Sequence, residues 1–373
     1  MFFFSITKRK ITDDLQCVGA KEIKVDSLIF SIVTDSFLSK LISTEDGFSI
    51  IESPLISYPH SDQIIFSEIT FRNSKKCFEI FRSTISGRPI YYYLNPQGEF
   101  FCSTHISMLR RAGVRIEENT KLLPEFFVYR YVIPPQTLYK NIRQVPAGSR
   151  LRVGLVGENC NIRQCNGFQP PVSDDSKVLG TIETISTRTL ELLTDSCYPL
   201  KPLNDEIAVL LSGGLDSSVL LEICRNLFDI KITDSTGYPF ENPEDNIEKE
   251  YAFSAAQAFG VRHEYYESSI KDYLFGVLQA ISVAEEPLHH LQSVMFYLLF
   301  RNHLPNEKTI VMCGLGADGI FGSNLHNSLF RRRNVRGVKL FSRYPLINLV
   351  KILSRITGRG KGLVGRLYNH PAS

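Results

Sequence analysis

The sequence predicts an α/β protein, with a β-rich N-terminal domain followed by a domain built on a doubly wound parallel sheet. Up to about Leu123, short runs rich in Ile, Phe, Tyr and Val, such as SLIFSIV and PIYYYLN, alternate with turn residues, a pattern typical of strands. After Lys177, helical and strand patterns alternate, beginning with LGTIETISTRTLELL and IAVLL, which indicates βαβ units. The length of 373 residues also favours two domains.

The boundary between the domains is expected in a connector. A short helix, LLPEFFVYRYV, precedes a stretch from Pro134 to about Ser176 that is predicted to form loops, because paired prolines interrupt regular structure there. The expected divisions are residues 1–123 for the N-terminal domain, 124–176 for the connector, 177–330 for the parallel-sheet domain and 331–373 for a basic tail. The tail is expected to present a solvated helix face. The alternatives are a patch for an acidic partner or a membrane surface and, last, a source of a catalytic lysine.

Charge and cysteine usage exclude several classes of function. The net charge of +3 is too small to predict a nucleic-acid partner. The eight cysteines are scattered without a C-x-x-C pair, which speaks against zinc ribbons and thioredoxin chemistry. The start, MFFFSITKRK, has too short an apolar run for a secretory signal, and no stretch approaches the roughly 18 apolar residues of a membrane span. A cytoplasmic protein without a membrane span is therefore expected.

The stretch LLSGGLDSSVLLEI carries the strongest functional signal. It places a glycine-serine turn after the predicted strand from Ile207 to Leu211 and before a helix that starts near Ser217. Ligands of doubly wound sheets bind beyond the carboxyl ends of strands, and glycines there let backbone N–H groups approach an anion. Asp216 supplies a carboxylate for Mg²⁺. The alternative is a tight turn with Asp216 or Ser217 as a helix cap.

Two motifs together resemble a known family. SGGLDSS is similar to the PP-loop of ATP pyrophosphatases, and CGLGADGIFGSN resembles a second segment of asparagine synthetase-type enzymes. GRPIYYYLNPQGEFFCS and AEEPLHH resemble that family's glutaminase-like domain and its E-E-P turn. The resemblance implies that the protein binds ATP and Mg²⁺. It implies that the pyrophosphate is held by Ser212, Gly213, Gly214, Ser217 and Ser218, and that the nucleotide is bordered by Leu211, Thr236, Cys313 and Gly314. It assigns metal binding and catalysis to Asp216 and Asp318. A helix cap is the alternative role for Asp318.

The sequence departs from the family pattern at three places. Glutamine-using members carry an N-terminal cysteine, whereas this chain starts MFFF and its first cysteine is the internal Cys17, so no glutamine hydrolysis is expected. Leu315 stands where asparagine synthetases have a glutamate, which removes a candidate base. The chain ends about fifty residues after Asn324, so the synthetase domain is expected to be truncated.

These departures resemble the β-lactam synthetases and lasso-peptide cyclases, in which an amine of the substrate itself attacks. The hypothesis is an AMP-forming amide ligase that adenylates a small-molecule or peptide carboxylate. Two alternatives stay open. One is an asparagine synthetase that uses aspartate and ammonia, and the other is a non-catalytic nucleotide-binding module completed by a partner protein.

Overall fold

The computed structural model describes the chain in nine stretches. These are residues 2–8, 20–25, 27–34, 39–52, 67–84, 88–166, 181–238, 247–305 and 310–321. The chain divides into two compact units, Met1–Cys313 and Gly314–Ser373, and the second is described over residues 314–321. Cys17 and the predicted tail, residues 331–373, lie outside the described residues.

In the N-terminal part of the first unit, the described residues form two antiparallel sheets of six strands each. The strands are β1 (Phe2–Thr7), β2 (Lys21–Val25), β3 (Leu28–Thr34), β4 (Ser39–Thr44), β5 (Gly47–Glu52), β6 (Ser67–Arg72), β7 (Cys77–Arg82), β8 (Tyr91–Leu94), β9 (Phe100–Ser103), β10 (Arg143–Gln144), β11 (Arg150–Val156) and β12 (Asn159–Asn166). One sheet has the order β10-β8-β9-β1-β3-β2 and the other β12-β11-β7-β6-β5-β4. The predicted β-rich domain is therefore present as a sandwich.

A phenylalanine-rich core fills the sandwich. Both sheets contribute buried rings, from Phe4, Phe30, Phe48, Phe71, Phe78 and Phe100. The centroids of Phe30 and Phe71 lie 4.9 Å apart, and those of Phe4 and Phe78 lie 5.3 Å apart in an edge-on arrangement. The alternating burial along β6 follows from the period of two that strands impose on side chains.

The predicted connector differs from the expected loops. It contains β10, β11 and β12, which complete the two sheets, and β11 pairs with both β7 and β12. The physical reason is the sequence RLRVGLV of β11, whose Leu151 and Val153 alternate with arginines and enter the core. The first proline pair, Pro134-Pro135, therefore precedes a hairpin of the sandwich, and the second, Pro170-Pro171, lies outside the described residues.

The described residues of the α/β part contain four parallel strands. They are β13 (Ile207–Val209), β14 (Ile232–Thr236), β15 (Arg262–Tyr266) and β16 (Ile310–Met312). β13 pairs with β16, β14 pairs with β15, and a parallel bridge between Leu210 and Asp234 joins the two pairs. The spatial order is thus β16-β13-β14-β15, so the direction of winding reverses beside β13. Such a switch point is where open α/β sheets bind ligands.

Eight α-helices are described along the chain. They are α1 (Ile106–Arg111), α2 (Leu123–Tyr129), α3 (Ile182–Cys197), α4 (Leu215–Leu227), α5 (Ile247–Phe259), α6 (Ile270–Ala284), α7 (Gln292–Asn302) and α8 (Ala317–Phe321). Short 3₁₀ segments cover Thr120–Leu122 and Tyr198–Glu206. With the parallel strands they confirm the predicted α/β fold class. None of the helices in the described stretches is long and apolar enough to cross a membrane.

Candidate functional site

The glycine-serine loop starts from a firmly held backbone at the switch point. The N–H of Leu210 donates to the carbonyl of Met312 on β16, at 2.9 Å. The N–H of Leu211 donates to the carbonyl of Asp234 on β14, also at 2.9 Å. Leu211 itself is buried. Because both neighbouring strands fix the last strand residues, the loop that follows has a defined direction at the carboxyl edge of the sheet.

Gly213 is required by both its conformation and its surroundings. Its φ of +78° lies in the left-handed region that glycine favours. A Cβ atom at this position would lie 2.3 Å from the carbonyl carbon of Tyr251 and 2.7 Å from the backbone nitrogen of Ala252. Both contacts are to the main chain of α5, which cannot move aside as a flexible side chain would. The loop therefore packs against α5 through bare backbone.

Ser217 holds the turn together from inside. Its side chain is buried, and its Oγ accepts the N–H of Ser212 at 3.2 Å and lies 3.0 Å from the Oγ of Ser212. The same hydroxyl donates to the carbonyl of Gly214 at 3.1 Å. The Oγ of Ser212 accepts the N–H of Gly214 at 3.4 Å. Ser217 is thus engaged within the loop, while Ser212 is exposed beside it.

The helix that follows directs donors towards the loop. α4 begins at Leu215 with Gly214 as its cap residue and no side-chain cap, and the first backbone bond runs from Ser218 to Gly214 at 3.1 Å. The N–H groups of residues 215–217 precede any intrahelical acceptor, and the helix dipole adds partial positive charge there. Asp216 lies in this first turn and is exposed. The loop therefore offers backbone donors for an anion next to a carboxylate for a cation.

The other predicted site residues lie on neighbouring segments. Thr236 ends β14, and its hydroxyl donates to the carbonyl of Tyr266 on β15 at 3.0 Å. Cys313 follows β16 as an exposed free thiol. Gly314 opens the second unit, in which Asp318 lies in the first turn of α8 and is exposed. The structure thus gathers Leu211 to Ser218 in one loop beside the strand that carries Thr236.

Comparison with known proteins gives two family matches in the order that the motifs predict. Residues 203–360 match the family described as Asparagine synthase. Residues 63–161 match the Glutamine amidotransferase domain. Together the two matches support an asparagine synthetase-like family member.

Curated relatives agree with this assignment at low identity. Asparagine synthetase [glutamine-hydrolyzing] 1 of Bacillus subtilis is 22% identical over 287 residues, which cover 75% of this chain and 42% of the relative. Putative asparagine synthetases of Mycobacterium tuberculosis H37Rv and Methanocaldococcus jannaschii are each 23% identical, over 58% and 70% of this chain. This asparagine synthetase-like chain spans half or less of the length of these relatives, between 32% and 50%.

Two glutamates, Glu285 and Glu286, join the sandwich to the α/β part of this asparagine synthetase-like chain. Neither is among the predicted site residues. The carboxylate of Glu285 accepts the N–H groups of Ile106 and Ser107 at the start of α1, the latter at 3.0 Å. The hydroxyl of Tyr139 donates to the carbonyl of Glu285 at 2.6 Å. The hydroxyl of Tyr91 donates to the carboxylate of Glu286, also at 2.6 Å. The available sequence signal for this joint is the AEEP turn at residues 284–287.

Burial gives the joint its electrostatic character. Desolvation, followed by the neighbouring Glu286 carboxylate, raises the pKa of Tyr91 far above its usual range. The same two influences raise the pKa of Tyr139. Both phenols are therefore neutral donors at physiological pH, as their hydrogen bonds require. The joint connects the sandwich to the segment between α6 and α7, which pack on the same sheet that carries the glycine-serine loop.

Proposed function

We propose that the chain is an ATP-dependent, AMP-forming amide ligase that adenylates a carboxylate and joins it to an amine without hydrolysing glutamine. The observation that carries the proposal is the loop after β13, which runs through Gly213 in a left-handed conformation and Gly214 into the start of α4, where no side chain caps the helix. Backbone N–H groups at a helix N-terminus are a recurring solution for binding phosphate. The two family matches favour nucleotide chemistry at this loop over a turn with a structural role alone.

The residues present fit a nucleotide phosphate and its metal. A Cβ at Gly214 would lie 3.4 Å from the Oγ of Ser212, in space that the glycine leaves open. In the proposal Ser212, Gly213, Gly214 and Ser218 hold the pyrophosphate, while Ser217 keeps the turn in shape. The exposed carboxylate of Asp216 is the proposed ligand of Mg²⁺ at this loop. Bound Mg²⁺ supplies positive charge that stabilises the departing pyrophosphate.

The proposed reaction has two steps. A carboxylate oxygen of the substrate bonds to the α-phosphorus of ATP, the bond to the bridging oxygen breaks, and pyrophosphate leaves. The amine nitrogen then bonds to the acyl carbon, the carbon–oxygen bond to AMP breaks with its electron pair, and the amine loses a proton. The residues of the loop contribute by orienting the phosphates, since fixed orientation alone is worth roughly 7 to 11 kcal/mol in favourable cases.

Cysteine burial supports the absence of glutamine chemistry. The described part of residues 63–161 contains Cys77, Cys102 and Cys160, and all three are buried. Desolvation raises the pKa of the Cys102 thiol, and it raises that of Cys160 to about 12. A buried thiol that stays protonated is a poor nucleophile. The amidotransferase-like segment is therefore proposed to be a structural domain.

The proposed amine belongs to the substrate itself, as in a peptide cyclase. Leu315 cannot accept a proton, so an unanchored nucleophile such as ammonia would have no help from this position. A tethered amine needs less assistance, because its effective concentration is already high.

Pyrophosphate release from Mg-ATP tests the proposal. The full chain should release pyrophosphate and AMP with a peptide that carries a free amine and a carboxylate, and should produce no glutamate from glutamine. Conversion of aspartate and ammonium to asparagine, unimproved by Leu315→Glu, would instead establish an ammonia-using asparagine synthetase. Tight ATP binding with no release for any substrate would establish a binding module.

A further inference from the structure

A cluster of three metal-ligating side chains lies on the sheet apart from the glycine-serine loop. Asp234 comes from β14, Glu264 from β15, and His303 from the end of α7. The Nε2 of His303 lies 2.9 Å from the Oδ1 of Asp234 and 3.7 Å from the Oε2 of Glu264. One ligand atom from each residue lies within 4.8 Å of the other two.

The register of the parallel strands places the two carboxylates of the cluster side by side. Asp234 and Glu264 are direct partners in the parallel register of β14 and β15, so both carboxylates leave the same face of the sheet. The backbone of Asp234 is fixed further by the N–H of Leu211 on its carbonyl. Two carboxylates side by side repel each other, and Asp234 is buried. A cation between them would offset that repulsion.

The two carboxylate oxygens of Glu264 have different neighbours. Arg262 pairs with the Oε1 of Glu264, whereas the Oε2 of the same carboxylate faces His303. Glu264 and His303 are partly exposed, so the cluster is reachable from solvent.

We propose that Asp234, Glu264 and His303 form a binding site for a divalent transition metal of the Zn²⁺ class. One imidazole nitrogen with two carboxylate oxygens suits Zn²⁺ and its neighbours, whereas Mg²⁺ and Ca²⁺ prefer oxygen ligands alone. On binding, the Nε2 lone pair of His303 forms the bond to the metal, and any proton on Nε2 is released to solvent. The remaining positions are filled by water.

The proposed role of the metal is to brace the sheet next to the nucleotide loop. The carbonyl of Asp234 holds Leu211, which directly precedes Ser212. A bound metal would therefore stabilise the strand pair from which the loop starts. This proposal stands independently of the ligase proposal, because it rests on other side chains and predicts binding without ATP.

Titration of the chelator-treated full chain with Co²⁺, followed by displacement with Zn²⁺, tests the site. One Co²⁺ per chain should give a visible absorption band that one Zn²⁺ abolishes, and Zn²⁺ should raise the melting temperature. His303→Ala and the nearly isosteric Glu264→Gln should each weaken binding at least about tenfold. Far-UV circular dichroism shows whether the His303→Ala variant folds. If that variant does not fold, the metal affinity of Glu264→Gln tests the proposal.

Two control variants address adventitious binding. His289→Ala removes an exposed histidine and Cys313→Ser removes the exposed thiol, and neither should change the affinity. The proposal is overturned if Zn²⁺ binds the wild-type chain no more tightly than Glu264→Gln, which would make the cluster an ion pair only. It is equally overturned if the binding disappears with His289→Ala or Cys313→Ser.

Discussion

The sandwich and the α/β part use their strands for different purposes. Twelve strands of the sandwich form two sheets of six, and buried phenylalanine rings fill the space between them. The four described strands of the α/β part are at most five residues long, and glycine and serine follow β13 at the carboxyl edge. The sandwich is therefore organised around a packed core of side chains, whereas the main feature of the α/β part is a loop with exposed backbone. In the proposed function the sandwich is therefore the scaffold, and the nucleotide site lies in the α/β part.

The largest effect on stability should come from the sandwich core. Phe30 is fully buried, and its ring lies 4.9 Å from that of Phe71 and 5.8 Å from that of Phe48. Phe30→Ala should lower the free energy of unfolding by about 3–5 kcal/mol, because it opens a cavity between the sheets. Urea unfolding measures this. Phe127→Ala, which removes a ring that is 76% exposed, should change the value by less than about 0.5 kcal/mol.

A smaller effect on stability, with a larger effect on ligand binding, is expected at the loop. Gly213→Ala should cost roughly 2–3 kcal/mol, since it combines a left-handed backbone with a clash against α5, and ATP affinity should fall with it. The matched control is Gly260→Ala. Gly260 has a φ of +66° with no atom within 4 Å of an added Cβ, so strain alone should cost about 1 kcal/mol. An equal loss of unfolding free energy in the two variants would show that the contact between the loop and the backbone of α5 does not restrict residue 213.

The joint between the two regions should have an intermediate effect. Tyr91→Phe removes the hydroxyl that donates to Glu286 and leaves a partly buried carboxylate without that donor. The free energy of unfolding should fall by about 1–2 kcal/mol, which lies within the usual cost of leaving a buried acceptor without its donor. Tyr93→Phe, on the same strand, is the control and should be nearly neutral. If Tyr91→Phe is neutral as well, the two regions are not coupled through Glu286.

The smallest effect should be a pH dependence of the α/β part. Burial lowers the pKa of His263, whose ring nitrogens lie 2.9 Å from the hydroxyl of Thr233 and 2.8 Å from that of Ser235. The unfolded chain then binds the proton more tightly, so the free energy of unfolding should decrease as the pH falls below about 6.5. His263→Gln should make this decrease shallower between pH 7 and pH 5. The exposed His289→Gln should leave the slope unchanged.

Features that depend on local sequence patterns could be predicted, whereas features that depend on contacts between distant residues could not. The alternation of apolar and polar residues and the βαβ pattern were sufficient to predict the fold class. The SGGLDSS motif was sufficient to predict a glycine-serine turn between β13 and the helix that follows. The strand β11 was missed because flanking prolines outweighed the alternation in RLRVGLV. Glu285 and Glu286 could not be assigned a role from the sequence, since their partners Tyr91 and Tyr139 lie more than a hundred residues away along the chain. The internal role of Ser217 likewise depends on a turn geometry that the motif alone does not specify.

Isothermal titration of ATP, with and without Mg²⁺, tests the central claim most directly. Asp216 is exposed in the first turn of α4, so Asp216→Asn should change unfolding free energy by less than about 0.5 kcal/mol. Mg²⁺ should strengthen ATP binding to the wild-type chain and to the control Glu222→Gln, an exposed acid on the same helix, but not to Asp216→Asn. An equal Mg²⁺ effect in Asp216→Asn, or no ATP binding by the wild-type chain, would contradict the assignment of this loop as the nucleotide site.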